Sequence, residues 1–427
     1  MEMQHIHDLF LSCDSISIDT RNILPNSFFV AIKGDRFDAN MFAKEALEKG
    51  AKYVVIDNPN YFIDERTILV NDSLVSLQEL AKFHRNFLQL PIIALTGSNG
   101  KTTTKELIQV VLSKKFRTKA TLGNLNNHIG VPLTLLSFDA TTQIGIVEMG
   151  ANHQKEIEFL CAIAQPDFGY ITNFGKAHLE GFGGVDGVIK GKSEMYTFLS
   201  QNDKTVFVNL EDPLQVTKTK EMKIVSFGVN KSEAFVNITS VSANPFVKIQ
   251  WDNTTIHSRL IGLYNANNIN AAIAIGKYFA VDDESIRQAI ESYIPENNRS
   301  QLVHKNTNEI ILDAYNANPS SMAVAIANFS QLENENKIAI LGDMFELGTE
   351  SISEHKAIVN VLLNENTITC YFIGKDFYQS KVEKTHFYFY ETFESFMEAL
   401  QKESLQNKMI LIKGSRGMAL ERTLEYL

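Results

Sequence analysis

The residues with the clearest chemistry run Thr96-Gly97-Ser98-Asn99-Gly100-Lys101-Thr102-Thr103. The apolar run PIIALT (91–96) precedes them and a helical pattern (101–116) follows. Strand, glycine turn and helix in that order form the setting of a phosphate loop. Glycines let backbone N–H groups approach phosphate oxygens, and the helix start adds partial positive charge. Lys101 can reach the β- and γ-phosphates, and the Thr102 hydroxyl can ligate Mg²⁺. The longer Walker spacing wants glycine at 95, where this chain has Leu95, so the loop is a short GxxGKT variant.

Carboxylates close several apolar strands: Glu148 after IGIV, Asp313 after IIL and Asp343 after IAILG. Open parallel sheets bind ligands beyond the carboxyl ends of their strands. Glu148 follows the phosphate loop in the same unit, where a strand-end acid holds Mg²⁺ directly or through water. For any single strand-end acid, a solvated cap is the commoner case. His178 lies in a turn-rich stretch close to a predicted strand end. Spacing alone allows a metal ligand there or a solvated loop histidine. Lys190 and Lys192 open a helical pattern, and spacing singles out neither.

The elements that must position these groups follow from periodicity. Residues 27–34 and 52–57 read as strands, and 41–50 as a helix ending at Gly50. Apolar runs at 91–96, 144–149 and 168–173 alternate with helices, which predicts a doubly wound parallel sheet. Residues 234–262 alternate at period two and predict an antiparallel meander on its edge. Buried strands at 310–314, 337–343, 370–374 and 409–415, with helices between them, predict a second open, Rossmann-like sheet. The expected fold class is α/β with three domains: a small α/β unit over 1–90, a phosphate-loop unit over 91–295 and an open sheet over 296–427.

Composition sets the outer bounds. The 427 residues are 44% hydrophobic and 21% charged, enough for ordinary cores. Forty basic against fifty acidic residues give a net charge of −10. A chain this acidic with no basic tail is not a general nucleic-acid binder. Cys13, Cys161 and Cys370 are scattered and form no CxxC, which fits a reducing compartment. The first residues lack the charge and apolar run of a secretory signal, and no 18-residue apolar run exists. The expectation is a cytoplasmic protein without membrane insertion.

Eight segments together carry a family resemblance: TGSNGKTTTKE (96–106), NLNNHIGVPLTLL (124–136), VEMGANHQKEI (147–157), HLEGFG (178–183), NANNINAA (265–272), DAYNANPSSM (313–322), LGDMFELG (341–348) and KGSRGMALE (413–421). They resemble successive motifs of the Mur ligases, in order and over essentially the whole chain. The stretch 18–40 resembles that family's uridine-nucleotide domain. YNANP and LGDMFELG resemble the member that adds D-alanyl-D-alanine to UDP-N-acetylmuramoyl-tripeptide in peptidoglycan biosynthesis. The alternatives are a relative adding a single amino acid and a non-catalytic nucleotide-binding homologue.

The resemblance implies ATP, two Mg²⁺ ions and an acyl-phosphate intermediate. It implies Lys101, Glu148, His178 and Lys192 as catalytic residues. Thr102, Glu148, His178 and Lys192 become the metal set, with Lys192 carbamylated and Lys190 the competing register. It implies Gly97 to Thr103, Asn265, Asn268, Arg299 and Asp313 around ATP. It implies Thr20, Arg21, Lys33, Asp38, Asn126 and Asn127 at the UDP-muramoyl-peptide, and Tyr315, Asn316, Asn318, Phe345 and Glu346 where D-alanyl-D-alanine meets the acyl phosphate. A monomer suffices for all of this. The chain departs from the family pattern at Tyr264 and Asn40, each in place of a histidine, and at Leu312, where one of two acids is missing.

Overall fold

The computed structural model describes residues 2–427 apart from 35, 36, 297 and 404. Three parallel-dominated sheets follow one another along the chain. The first pairs Ser15–Ser17, Ser27–Val30, Ala51–Ile56 and Thr67–Leu69, all parallel. The predicted strand 27–34 breaks after Val30, because Lys33–Gly34 turns to pair with Phe37–Asp38. The predicted helix 41–50 forms over Ala43–Glu48, and Gly50 ends it at φ +106°.

The second sheet has nine strands. At its centre β1 (Ile92–Thr96) lies between β2 (Ile144–Glu148) and β3 (Phe168–Ile171), all parallel. Ile93, Leu95 and Ile146 face one layer with Leu107, Ile108 and Ile273. Ile92, Ala94 and Val147 face the other with Leu135 and Leu160. Burial on both faces explains why these strands read as unbroken apolar runs. Helix α1 (Lys101–Leu112) follows the phosphate loop, and α2 (Val185–Gln201) and α3 (Asn265–Tyr278) come later. The meander forms over Val236–Ala243, Phe246–Trp251 and Thr254–Ile261, antiparallel among themselves. Its first strand also extends the parallel sheet by pairing with Lys223–Val229.

The third sheet holds β4 (Asn308–Asp313), β5 (Lys337–Gly342) and β6 (Met409–Lys413), with β6 in the middle and all three parallel. An antiparallel edge strand, Gln301–Lys305, lies beyond β4 and was not expected, since its polar ends hide the pattern. Among the described residues no helix is long and apolar enough to cross a membrane.

Two helices of the first unit meet at a buried histidine pair. His84 Nε2 donates to the Phe138 carbonyl at 2.9 Å, so its Nδ1 must accept, here from His7 Nε2 at 3.0 Å. Phe83 and Phe87 pack on the His7 ring. Burial, reinforced by His84, pulls the His7 pKa down to about 4. The native state therefore keeps His7 neutral where an unfolded imidazole, near 6.5, takes a proton. This contribution to stability is complete above about pH 6.5 and is lost as pH falls toward 4. His7→Phe is expected to lose less melting temperature between pH 7 and 4.5 than the parent, followed by circular dichroism. An unchanged acid slope would remove the pair from acid unfolding.

Candidate active site

The loop after β1 folds around two glycines. Gly97 has φ +142° and Gly100 φ +79°. A Cβ on Gly97 would stand 2.0 Å from Thr172 Oγ1, and one on Gly100 2.6 Å from Asn268 Oδ1. Close approach as well as backbone conformation thus demands glycine. The Thr172 hydroxyl and Asn173 amide, just past β3, donate to the Asn99 carbonyl at 2.6 and 3.0 Å. Lys101 folds back on the loop, donating to the Gly97 carbonyl at 2.7 Å. Burial lowers its pKa, while Glu148 opposes that shift.

Glu148 is 1% exposed at the end of β2. It accepts from the Thr102 hydroxyl at 3.0 Å and from the Asn126 amide at 2.8 Å. Two residues predicted to share a metal are therefore in direct contact. In α2, Lys192 is 1% exposed and Lys190 is on the surface. Lys192 Nζ donates to the Ala151 carbonyl at 3.1 Å and sits 5.0 Å over the Phe182 ring. It forms no ion pair among the described residues. Burial first, then the charge of Lys101, pulls its pKa well below the ordinary lysine range.

His178 adopts φ +52°, and its Nδ1 pairs with the Glu346 carboxylate from beyond β5. The pairing holds the Glu346 carboxyl below its usual range. In this arrangement His178 engages Glu346, not Glu148. Among the described residues no three His, Cys, Asp or Glu side chains form a metal cluster. Glu148 and Thr102 offer two hard oxygens, which fits a Mg²⁺ that takes its other ligands from phosphate and water.

The third sheet closes over the loop through polar contacts. Asn318 Nδ2 donates to Asn99 Oδ1 at 2.7 Å, and the Lys176 N–H donates to Ser320 Oγ at 2.8 Å. Asn318 also caps helix α4 (Pro319–Gln331). Asp313 accepts from Lys413 Nζ at 2.6 Å and from the Ser300 N–H at 3.2 Å. Two guanidinium groups lie over the Tyr315 ring, Arg299 at 3.6 Å and Arg416 at 4.9 Å from its centre. The connection between the second and third sheets is tied at both ends. Tyr293 donates to Glu106 of α1 at 2.6 Å, and the Tyr315 N–H donates to the Asn298 carbonyl at 3.2 Å.

A cleft of about 1380 Å³ runs between these surfaces. Ser98 to Thr103, Asn126, Asn127, Glu148, His178, Asn265, Asn268, Arg299, Asp313, Tyr315, Asn316 and Asn318 all line it. Asn265 and Asn268 also brace the loop, since Asn268 accepts from the Thr104 hydroxyl and donates to Asn265. Tyr264 lines the cleft, and its hydroxyl bonds the Ser300 hydroxyl.

Thr20, Arg21, Lys33 and Asp38 do not line this cleft. Arg21 pairs with neighbouring Asp19, and Asp38 accepts from Asn40. Asn40 is fully buried and ties Asp38 to Asp57, which accounts for a non-histidine there. Phe345, Glu346 and Lys192 do not line the cleft either; Glu346 meets it only through His178, and Phe345 is 45% exposed. Sequence reasoning missed Lys413, Thr172 and Asn173. The signal for Lys413 was a lysine closing a strand of otherwise apolar residues, MILIK.

Comparison with known proteins places this geometry. Residues 95–276 match the Mur ligase middle domain, and residues 298–416 match the Mur ligase, glutamate ligase domain. The UDP-N-acetylmuramoyl-tripeptide–D-alanyl-D-alanine ligase of Bacillus subtilis is 32% identical, over 96% of this chain and 92% of its own. The crystal structure of MurF from Acinetobacter baumannii superposes with a TM-score of 0.87 at 30% identity, covering 99% of this chain and 97% of that one. MurF from Thermotoga maritima in complex with ADP gives 0.83 at 25% identity, covering 98% and 97%. With its phosphate loop, its strand-end glutamate and its full-length match to these enzymes, the chain belongs to the Mur ligase family.

Proposed function

We propose that this chain is an ATP-dependent ligase that joins D-alanyl-D-alanine to UDP-N-acetylmuramoyl-tripeptide and releases ADP and phosphate. The observation that carries the reading is a phosphate loop facing the third sheet across one cleft, in a chain matched end to end by ligases of that name. A carboxylate is a poor electrophile, and its charge repels the γ-phosphate. Phosphorylation converts it to an acyl phosphate, the dipeptide amine attacks, and the tetrahedral intermediate collapses with loss of phosphate.

In this reading Lys101 leaves the Gly97 carbonyl to neutralise the transferring phosphate, and the loop amides hold the β-phosphate. Arg299, stacked on Tyr315, brings a second cation from the third-sheet side. Asn318 bonded to Asn99 holds the cleft closed and excludes water from the acyl phosphate. Asp313, fixed by Lys413, faces the nucleotide. Thr102 and Glu148 would hold Mg²⁺, which supplies charge neutralisation between the phosphates and the carboxylate.

Lys192 is the proposed carbamate. Carbon dioxide adds only to an unprotonated amine, a proton leaving to solvent, and burial lowers the pKa of this amine, which favours that form. The added negative charge turns repulsion from Lys101 into attraction. We assign residues 1–90 to the UDP-sugar end, 91–295 to ATP and 296–427 to the dipeptide.

ADP release from the purified protein, coupled to NADH oxidation, is expected to require both UDP-N-acetylmuramoyl-tripeptide and D-alanyl-D-alanine. Release driven instead by a single free amino acid would move the chain to another branch of the family.

A further inference from the structure

The acceptor dipeptide ends in a carboxylate, and in the ligase reading the cations beside the phosphate loop, Lys101 and Arg299, are taken up by phosphate. Strands β5 and β6 are parallel neighbours, so the loops past their carboxyl ends lie side by side, next to Lys413 and Tyr315 of the cleft wall. These two loops interlock. The Phe345 N–H donates to Ser415 Oγ at 2.8 Å, and the Phe345 ring lies 2.8 Å from where a Cβ on Gly417 would stand. Ser415 is 2% exposed, and its N–H donates to the Asp343 carbonyl, so the backbone at 415 is anchored.

Arg416 follows that anchor and is exposed. Its guanidinium stacks on Tyr315 and forms no ion pair among the described residues, in a chain with ten more acids than bases. Arg299 lies over the same ring at 3.6 Å from its centre, and it lines the cleft together with Lys101. One ring thus carries two cations, of which Arg299 lines the phosphate-loop cleft and Arg416 is exposed. Glu346, next to Phe345, is tied to His178. Along these two loops the structure presents a cation, an exposed aromatic ring and an imidazole–carboxylate pair, which matches a short zwitterion with apolar side chains.

We propose that Arg416 is a specificity-determining residue that receives the terminal carboxylate of the incoming dipeptide, with Phe345 against its methyl groups and the amine directed toward His178. This rests on the ligase reading above and names a residue within it. Two or three charge-assisted hydrogen bonds make the site discriminate against an acceptor with a capped carboxylate.

The test compares kcat/KM for D-alanyl-D-alanine and D-alanyl-D-alaninamide in the parent enzyme, Arg416→Gln and Arg416→Lys. The parent is expected to prefer the free acid by about tenfold to a hundredfold. Arg416→Gln should raise KM for the dipeptide by a similar factor, reduce the preference to near unity and leave KM for ATP unchanged. Arg416→Lys should fall between, since ammonium keeps the charge and loses the fork. A parent that uses the dipeptide, with a Gln variant that keeps the full preference or shifts KM for ATP instead, overturns the assignment alone. A parent that ignores D-alanyl-D-alanine overturns the ligase reading and this assignment with it.

Discussion

Lys192→Ala is expected to cut dipeptide-dependent ADP release by about two to three orders of magnitude, the usual cost of deleting a preorganised charge. The side chain is buried in the middle of α2 with one carbonyl partner and no carboxylate, so it contributes little to folding as a lysine. Lys192→Met keeps the apolar stem and removes the buried amine. That variant should melt at or above the parent temperature while remaining inactive, which separates lost chemistry from lost structure. The parent, stripped of carbon dioxide, should lose activity and regain it with bicarbonate, and the Met variant should respond to neither. Near-normal turnover by either variant would exclude the carbamate.

Lys101→Ala is expected to lower kcat by a comparable factor, about a hundredfold to a thousandfold, with KM for D-alanyl-D-alanine unchanged. The amine lies on the loop carbonyls, and its loss frees no carboxylate from an ion pair. Lys101→Arg should not restore the rate, because a planar guanidinium does not reproduce the compact point charge of an ammonium at the transferring phosphate. Steady-state ADP release at saturating dipeptide measures both. A change confined to KM for the dipeptide would remove Lys101 from phosphoryl transfer.

The two lysines differ in how far the chain announced them. Lys101 was legible because its signal is local: an apolar strand, two glycines and a helix start within a dozen residues. Lys192 came only through family resemblance, since Lys190 sits on the same helix and periodicity favours neither. The structure separates them by tertiary packing, with Lys192 over Phe182 and Lys190 facing water. The buried runs PIIALT, IGIVEM and IAILG gave the central strands because both faces are covered. Gln301–Lys305 stayed hidden because an edge strand with one half-wet face lacks that signature. The pairing of His178 with Glu346 spans 168 residues, and nothing local in either segment encodes it. Lys413 looked like the polar end of a strand, and only the fold shows it buried against Asp313.

The tied connection between the second and third sheets carries one further consequence. Arg299 rides on the single stretch of chain joining them, anchored to α1 through Tyr293 and to the third sheet through Tyr315. In the proposed reading, swinging the third sheet away would also withdraw the Arg299 cation from the phosphate loop. Access for a new acceptor and competence for phosphoryl transfer become two readings of one rotation. In that reading an open enzyme would be an idle one, and ATP would be spared from water without a dedicated lid.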